Sequence, residues 1–165
     1  LIDKYGTKMK LIIAGSIEKK NRFYLNKLYS MSRGYPVEII LNPSEDELLD
    51  LYRHAYAFIF ASDNEPFGIT PLEAMSCGKP VIAAVNDGGV LDYLRDGVNG
   101  IHVKPDSNEL AKALHILANN EDLVRRLGIY ARRTALLYDI NNFVKKLDKL
   151  IERTITNIST EIRAG

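Results

Sequence analysis

The sequence predicts an α/β domain in which a parallel sheet carries helices on both faces and a helical segment closes the carboxyl end. Three observations predict it. Short apolar runs bounded by turn formers recur at Leu11–Ala14, Val37–Leu41, Ala57–Phe60, Val81–Val85 and Ile101–Val103. The first four are nearly continuous in apolar character, as expected of parallel strands buried on both faces. The stretches between them change to helical spacing, so strand and helix alternate.

Each element has its own signal. Phe23, Leu25, Leu28 and Met31 are spaced helically before Gly34, and Leu48, Leu51, Tyr52 and Ala55 form a stripe after Ser44. Ser44-Glu45-Asp46-Glu47 is a capping box that opens the second of these helices. Gly78, after Ala74-Met75-Ser76-Cys77, is a helix stop. Beyond residue 104 the pattern is helical, with helices predicted over 107–118, 121–137 and 140–157. We expect one domain over residues 1–158 with a tail at 159–165. The opening Leu1-Ile2-Asp3-Lys4-Tyr5-Gly6 reads as the end of a helix entering a turn, and so as a cut from a longer chain.

Composition narrows the function classes. At 165 residues and 46% hydrophobic content the chain can build a real core. With 22 basic against 21 acidic residues it lacks the footprint of nonspecific nucleic-acid binding. Cys77 is the single cysteine, no Cys/His spacing suggests zinc, and a reducing compartment is consistent with both. No apolar run nears the roughly 20 residues of a membrane span.

Parallel βα units bind ligands beyond the carboxyl ends of their strands. The informative loop there is Ser62-Asp63-Asn64-Glu65-Pro66-Phe67-Gly68-Ile69-Thr70-Pro71-Leu72-Glu73-Ala74-Met75. A helix start offers unpaired N–H groups and a positive dipole end to phosphate, Gly68 admits close approach, and Pro71 suits the first helical position. Glu65 and Glu73 flank the turn and are expected to point into one crevice, where carboxylates accept from sugar hydroxyls. A phosphate between two polyols, as in a nucleotide-sugar, fits that set. Two plainer readings stand beside it: Thr70-x-x-Glu73 also fits a capping box, and Glu65 alone would be an ordinary loop carboxylate.

The string from Glu65 to Met75, continued by Ser76-Cys77-Gly78-Lys79-Pro80-Val81-Ile82, resembles the glutamate-seven-residues-glutamate signature of a large family of retaining glycosyltransferases, group 1 or GT4, that includes sucrose, glycogen and lipopolysaccharide synthases. The likeness extends upstream through Lys10-Leu11-Ile12-Ile13-Ala14-Gly15 and downstream through Gly88-Gly89, Asp96-Gly97 and Asn99-Gly100. It implies the C-terminal, Rossmann-like half of a two-domain GT-B fold that binds a UDP-, GDP- or ADP-linked sugar and transfers a hexose with retention, without a metal or other cofactor.

By the same resemblance Glu65 is the catalytic residue that contacts hydroxyls of the donor hexose. The backbone at Phe67, Gly68, Ile69 and Thr70 holds sugar and diphosphate, and Glu73 binds the ribose. Asn42, Pro43 and Leu48 border the base, and Gly15 is a further donor-binding residue. The implied partners are an N-terminal domain of the same enzyme and a glycan or lipid acceptor, which points to a cytoplasmic protein, peripheral at the inner membrane face where the acceptor is lipid. The sequence departs from the family at Leu41, where a glycine is usual, and at Asp92, where a glutamate is usual. The family's first strand, with the Arg and Lys that neutralise the diphosphate, is expected before residue 1, and neither Lys19 nor Lys20 substitutes for them.

Rival readings are glycoside hydrolysis by the carboxylate pair, which has no use for a phosphate turn, and a noncatalytic nucleotide-binding or interaction module of flavodoxin-like shape. His54, His102 and His115 lack partners at ligand spacing, and Cys77 reads as packing. Gly88-Gly89 either admits ligand or makes a tight turn. Arg125, Arg126, Arg132 and Arg133 suit a solvated helix face, and the stripe of Phe143, Val144, Leu147, Leu150 and Ile151 is expected to be partly exposed.

Overall fold

A computed structural model describes residues 9–62 and 64–164, so Asp63 and the first turn read from Leu1–Gly6 lie outside the described residues. The chain order is β1 (Leu11–Gly15), a 3-10 turn (Lys19–Asn21), α1 (Arg22–Ser32), β2 (Val37–Leu41), α2 (Glu45–His54), β3 (Phe58–Phe60), α3 (Ile69–Ser76), β4 (Val81–Ala84), a second 3-10 turn (Gly89–Asp92), β5 (Gly100–Val103), α4 (Ser107–Ala118), α5 (Glu121–Leu137) and α6 (Ile140–Ala164). Every strand predicted from the apolar runs is present, and the three C-terminal helices start where their spacing placed them. Helix α6 continues through the residues read as a tail.

Among the described residues all strand pairings are parallel, in two sheets. β1 pairs with β2 from Leu11↔Val37 to Gly15↔Leu41, and β4 lies between β3 and β5, with Phe58↔Val81 and Val81↔Gly100 in register. The two sheets do not join among the described residues. The expected two-sided burial holds only for β4, whose four residues are all buried. In β1 Leu11 and Ile12 remain about two-fifths exposed (42% and 41%). The physical reason is that helix α1, which connects the two strands of this pair, buries no residue of its own and so does not close over them.

The core sits around β4 in two parts. One gathers Tyr52, Phe60, Ala74, Met75, Val81, Ala83, Val90 and Tyr93, so it joins α2, α3 and the turn after β4. The other sets Ile82 against Ala113 and Leu117 of α4 and Leu127 of α5. Burying a side chain the size of Ile82 or Leu127 contributes about 1.5–3 kcal/mol. The helix that leaves β2 is fixed at its start by the predicted capping box: Ser44 accepts from the Glu47 N–H at 3.2 Å and Glu47 accepts from the Ser44 N–H at 2.8 Å. No described helix is long and apolar enough to cross a membrane.

Candidate functional site

The loop after β3 turns through Asn64 in the left-handed region (φ 60°) and again at Gly68 (φ 76°), which serves as the N-cap of α3. Only glycine suits the second position, because a Cβ there would also lie 3.0 Å from the Tyr93 hydroxyl. No side chain caps α3, and its first turn carries no acidic residue. Its leading N–H groups and positive dipole end are therefore left for an anion. Because the helix opens at Ile69, Pro71 is its third residue and not its first; its missing N–H still costs nothing in that turn.

The capping-box reading of Thr70 and Glu73 is not what the structure contains. Thr70 lies inside the helix, and the Glu73 carboxylate instead accepts from the Tyr52 hydroxyl at 2.9 Å. Tyr52 comes from α2, 7% exposed, with its ring tilted against Phe58 at 5.7 Å between centroids. Its burial first, then the bond to Glu73 and the charge of that carboxylate, push its hydroxyl above the ordinary tyrosine range. Glu73 is itself exposed, so one carboxylate oxygen is tied to Tyr52 while the group still faces solvent.

Glu65 is half-buried, and its carbonyl accepts from the Gly89 N–H at 3.0 Å. Among the described residues no basic side chain pairs with Glu65 or Glu73, which keeps both carboxylates available to hydroxyls. Gly88-Gly89 is a backbone-to-backbone contact: a Cβ on Gly89 would overlap the Pro66 carbonyl, so the paired glycines let the turn after β4 press against the Glu65 loop. Phe67 is 42% exposed and its ring meets Tyr93 and Tyr138, each at 5.9 Å. Ile69 and Thr70 are exposed on the first turn of α3.

The residues expected at the base lie on neighbouring elements. Gly15 and Asn42 meet at the carboxyl ends of β1 and β2, where the Asn42 N–H donates to the Gly15 carbonyl at 2.9 Å. Asn42 is left-handed (φ 51°), and Pro43 after it is half-buried. Leu48 packs against the first core cluster one turn before Tyr52, on the same face of α2. No hydrogen bond joins this corner to the Glu65 loop among the described residues, so α2 with its Tyr52–Glu73 bond is the link. Sequence reasoning named Tyr52 only as part of a packing stripe and missed Tyr93, whose hydroxyl donates to the Gly68 carbonyl at 2.5 Å. The histidines meet nearby groups: His54 the Asp50 carbonyl, His102 the Val85 carbonyl, His115 the Asn119 amide. Cys77 packs against the first core cluster.

Parallel strands alternating with helices place the chain among α/β domains, and its fold is that of the C-terminal half of a GT-B glycosyltransferase. The chain belongs to the glycosyl transferases group 1 family, whose model matches residues 1–134. It is 30% identical to the alpha-1,3/1,6-mannosyltransferase of Dictyostelium discoideum over 152 residues, covering 83% of this chain and 36% of that protein. It is 45% identical to the D-inositol 3-phosphate glycosyltransferase of Streptomyces bingchenggensis over 87 residues, covering 52% and 19%. A glycosyltransferase structure from Rickettsia africae superposes with a TM-score of 0.80 at 23% identity, over 92% of this chain and 41% of that one. The Anabaena protein HepE, solved with UDP, gives 0.76 at 25% identity over 90% and 41%. The chain thus spans well under half the length of each of these four relatives.

Proposed function

We propose that this chain is the donor-binding domain of a retaining hexosyltransferase that uses a nucleoside diphosphate sugar. The observation that carries the reading is the uncapped start of α3, with Glu73 turned away from the capping role and tied to Tyr52. The N–H groups of the Phe67–Thr70 turn hold the diphosphate and stabilise charge that develops on it as the sugar leaves. Glu73 accepts from the ribose hydroxyls. Glu65, on the other side of the turn, contacts the hexose and acts as the catalytic carboxylate, while Gly15, Asn42, Pro43 and Leu48 border the base. A second domain of the same enzyme supplies the acceptor site for a glycan or lipid hydroxyl, and the reaction needs no metal. The solved complex of HepE with UDP supports the choice of ligand class.

Titration of UDP, GDP and ADP into the chain by calorimetry or NMR tests the reading. One of the three is expected to bind, and Glu73→Gln, which keeps an acceptor for Tyr52 but loses the charge, should weaken it about tenfold. Absence of binding at millimolar nucleotide, or binding undiminished in Glu73→Gln, would overturn it.

A further inference from the structure

The turn between β3 and α3 is held from the protein side by two bonds, the Gly89 N–H to the Glu65 carbonyl and the Tyr93 hydroxyl to the Gly68 carbonyl. The second is the more telling because of where it acts. The peptide joining Gly68 to Ile69 is planar and trans, so its C=O and N–H point in opposite directions. Pinning the Gly68 carbonyl against the buried Tyr93 hydroxyl therefore turns the Ile69 N–H the other way, away from Tyr93.

Tyr93 is built to hold that position. It is 3% exposed, and its ring packs against Phe67 at 5.9 Å and Tyr138 at 5.5 Å. Its own carbonyl is gripped by the Asn99 side-chain amide at 2.9 Å, and the same amide reaches the Thr134 hydroxyl of α5 at 2.9 Å. The Arg95 N–H donates to the other end of the Asn99 side chain at 2.6 Å. The run Thr134–Asn99–Tyr93–Gly68 is thus a continuous hydrogen-bonded support from a core helix to the turn, with no unsatisfied polar side-chain atom among the buried described residues.

We propose that Tyr93 is a positioning residue for the diphosphate: it sets the Gly68–Ile69 peptide so that the Ile69 N–H meets a phosphate oxygen. This inference rests on the nucleotide-sugar reading above. It differs from a purely structural role because it concerns the phosphate part of the ligand alone.

The test compares Tyr93→Phe with Tyr56→Phe in the full chain. Tyr56 offers a matched control, since its hydroxyl donates to a backbone carbonyl, that of Leu117, at 2.9 Å and away from the turn. Dissociation constants are measured for the nucleoside diphosphate that the chain binds and for the same nucleoside without phosphate. Tyr93→Phe should weaken the diphosphate about tenfold and leave the nucleoside unchanged, and Tyr56→Phe should alter neither. In the unmodified chain the Ile69 amide resonance should be among those that shift most when diphosphate is added, a readout that stands even where Tyr93→Phe folds poorly. Equal loss for diphosphate and nucleoside, unaltered diphosphate binding in Tyr93→Phe, or a still Ile69 resonance overturns the inference while leaving the donor-site reading in place. A chain that binds none of UDP, GDP or ADP removes both.

Discussion

Tyr52 and Glu73 stand 21 positions apart in the chain, yet one bond between them ties down an oxygen of the second carboxylate. Tyr52→Phe keeps the ring against Phe58 and removes only the hydroxyl, so thermal unfolding should register a loss of about 1 kcal/mol. Nucleotide affinity should fall severalfold in the same variant, because the free carboxylate no longer has a fixed orientation. Alkali gives a further sign. The Tyr52 hydroxyl titrates above its unfolded value of about 10, so its contribution is complete below that pH and is lost as pH rises through the raised folded value. Unfolding followed between pH 9 and 12 should therefore show a steeper decline for the wild type than for Tyr52→Phe. Glu65, Gly68 and Glu73 were legible in the sequence, since spacing alone sets them around one helix start. Tyr93 was not: its partner Gly68 lies 25 residues away, and nothing local to either residue announces that two loops will meet there.

At the scale of elements, the decisive contact is the turn after β4 lying against the loop after β3. Gly89→Ala should destabilise the chain by about 1–3 kcal/mol, because the new methyl overlaps the Pro66 backbone and neither loop can retreat without breaking the Gly89–Glu65 bond. Nucleotide binding should decline with it, checked by calorimetry at a temperature where the variant is folded. The strands and helices themselves were readable from apolar runs, the capping box at Ser44 and the stop at Gly78. What could not be read was the reason for Gly88-Gly89, since a tight turn and a ligand contact ask for the same residues. The start of α3 was misplaced by two residues because Pro71 invites the first helical position, whereas the left-handed Gly68 begins the helix earlier.

For the whole molecule, the parallel order follows from alternating strands and helices, but coverage of a sheet depends on what packs against it. An apolar strand is equally apolar whether or not a helix lies over it, which is why β1 reads like β4 and yet stays half open. Hydrogen exchange should separate the two. The amides of Val81–Ala84 are expected to exchange slowest, near the limit of global unfolding, and those of Leu11–Gly15 faster by orders of magnitude. Equal protection in both sheets would show that the molecule unfolds as one unit.

The tyrosines that brace the turn have one more consequence. The chain contains no tryptophan and 9 tyrosines, so its ultraviolet emission is tyrosine emission throughout. Tyr93 lies edge-on to Phe67, and Tyr52 is bonded to the carboxylate proposed to take the ribose hydroxyls. A nucleotide bound at the turn as proposed should therefore change the intrinsic fluorescence of the chain, so that a titration can be followed by light without attaching a dye.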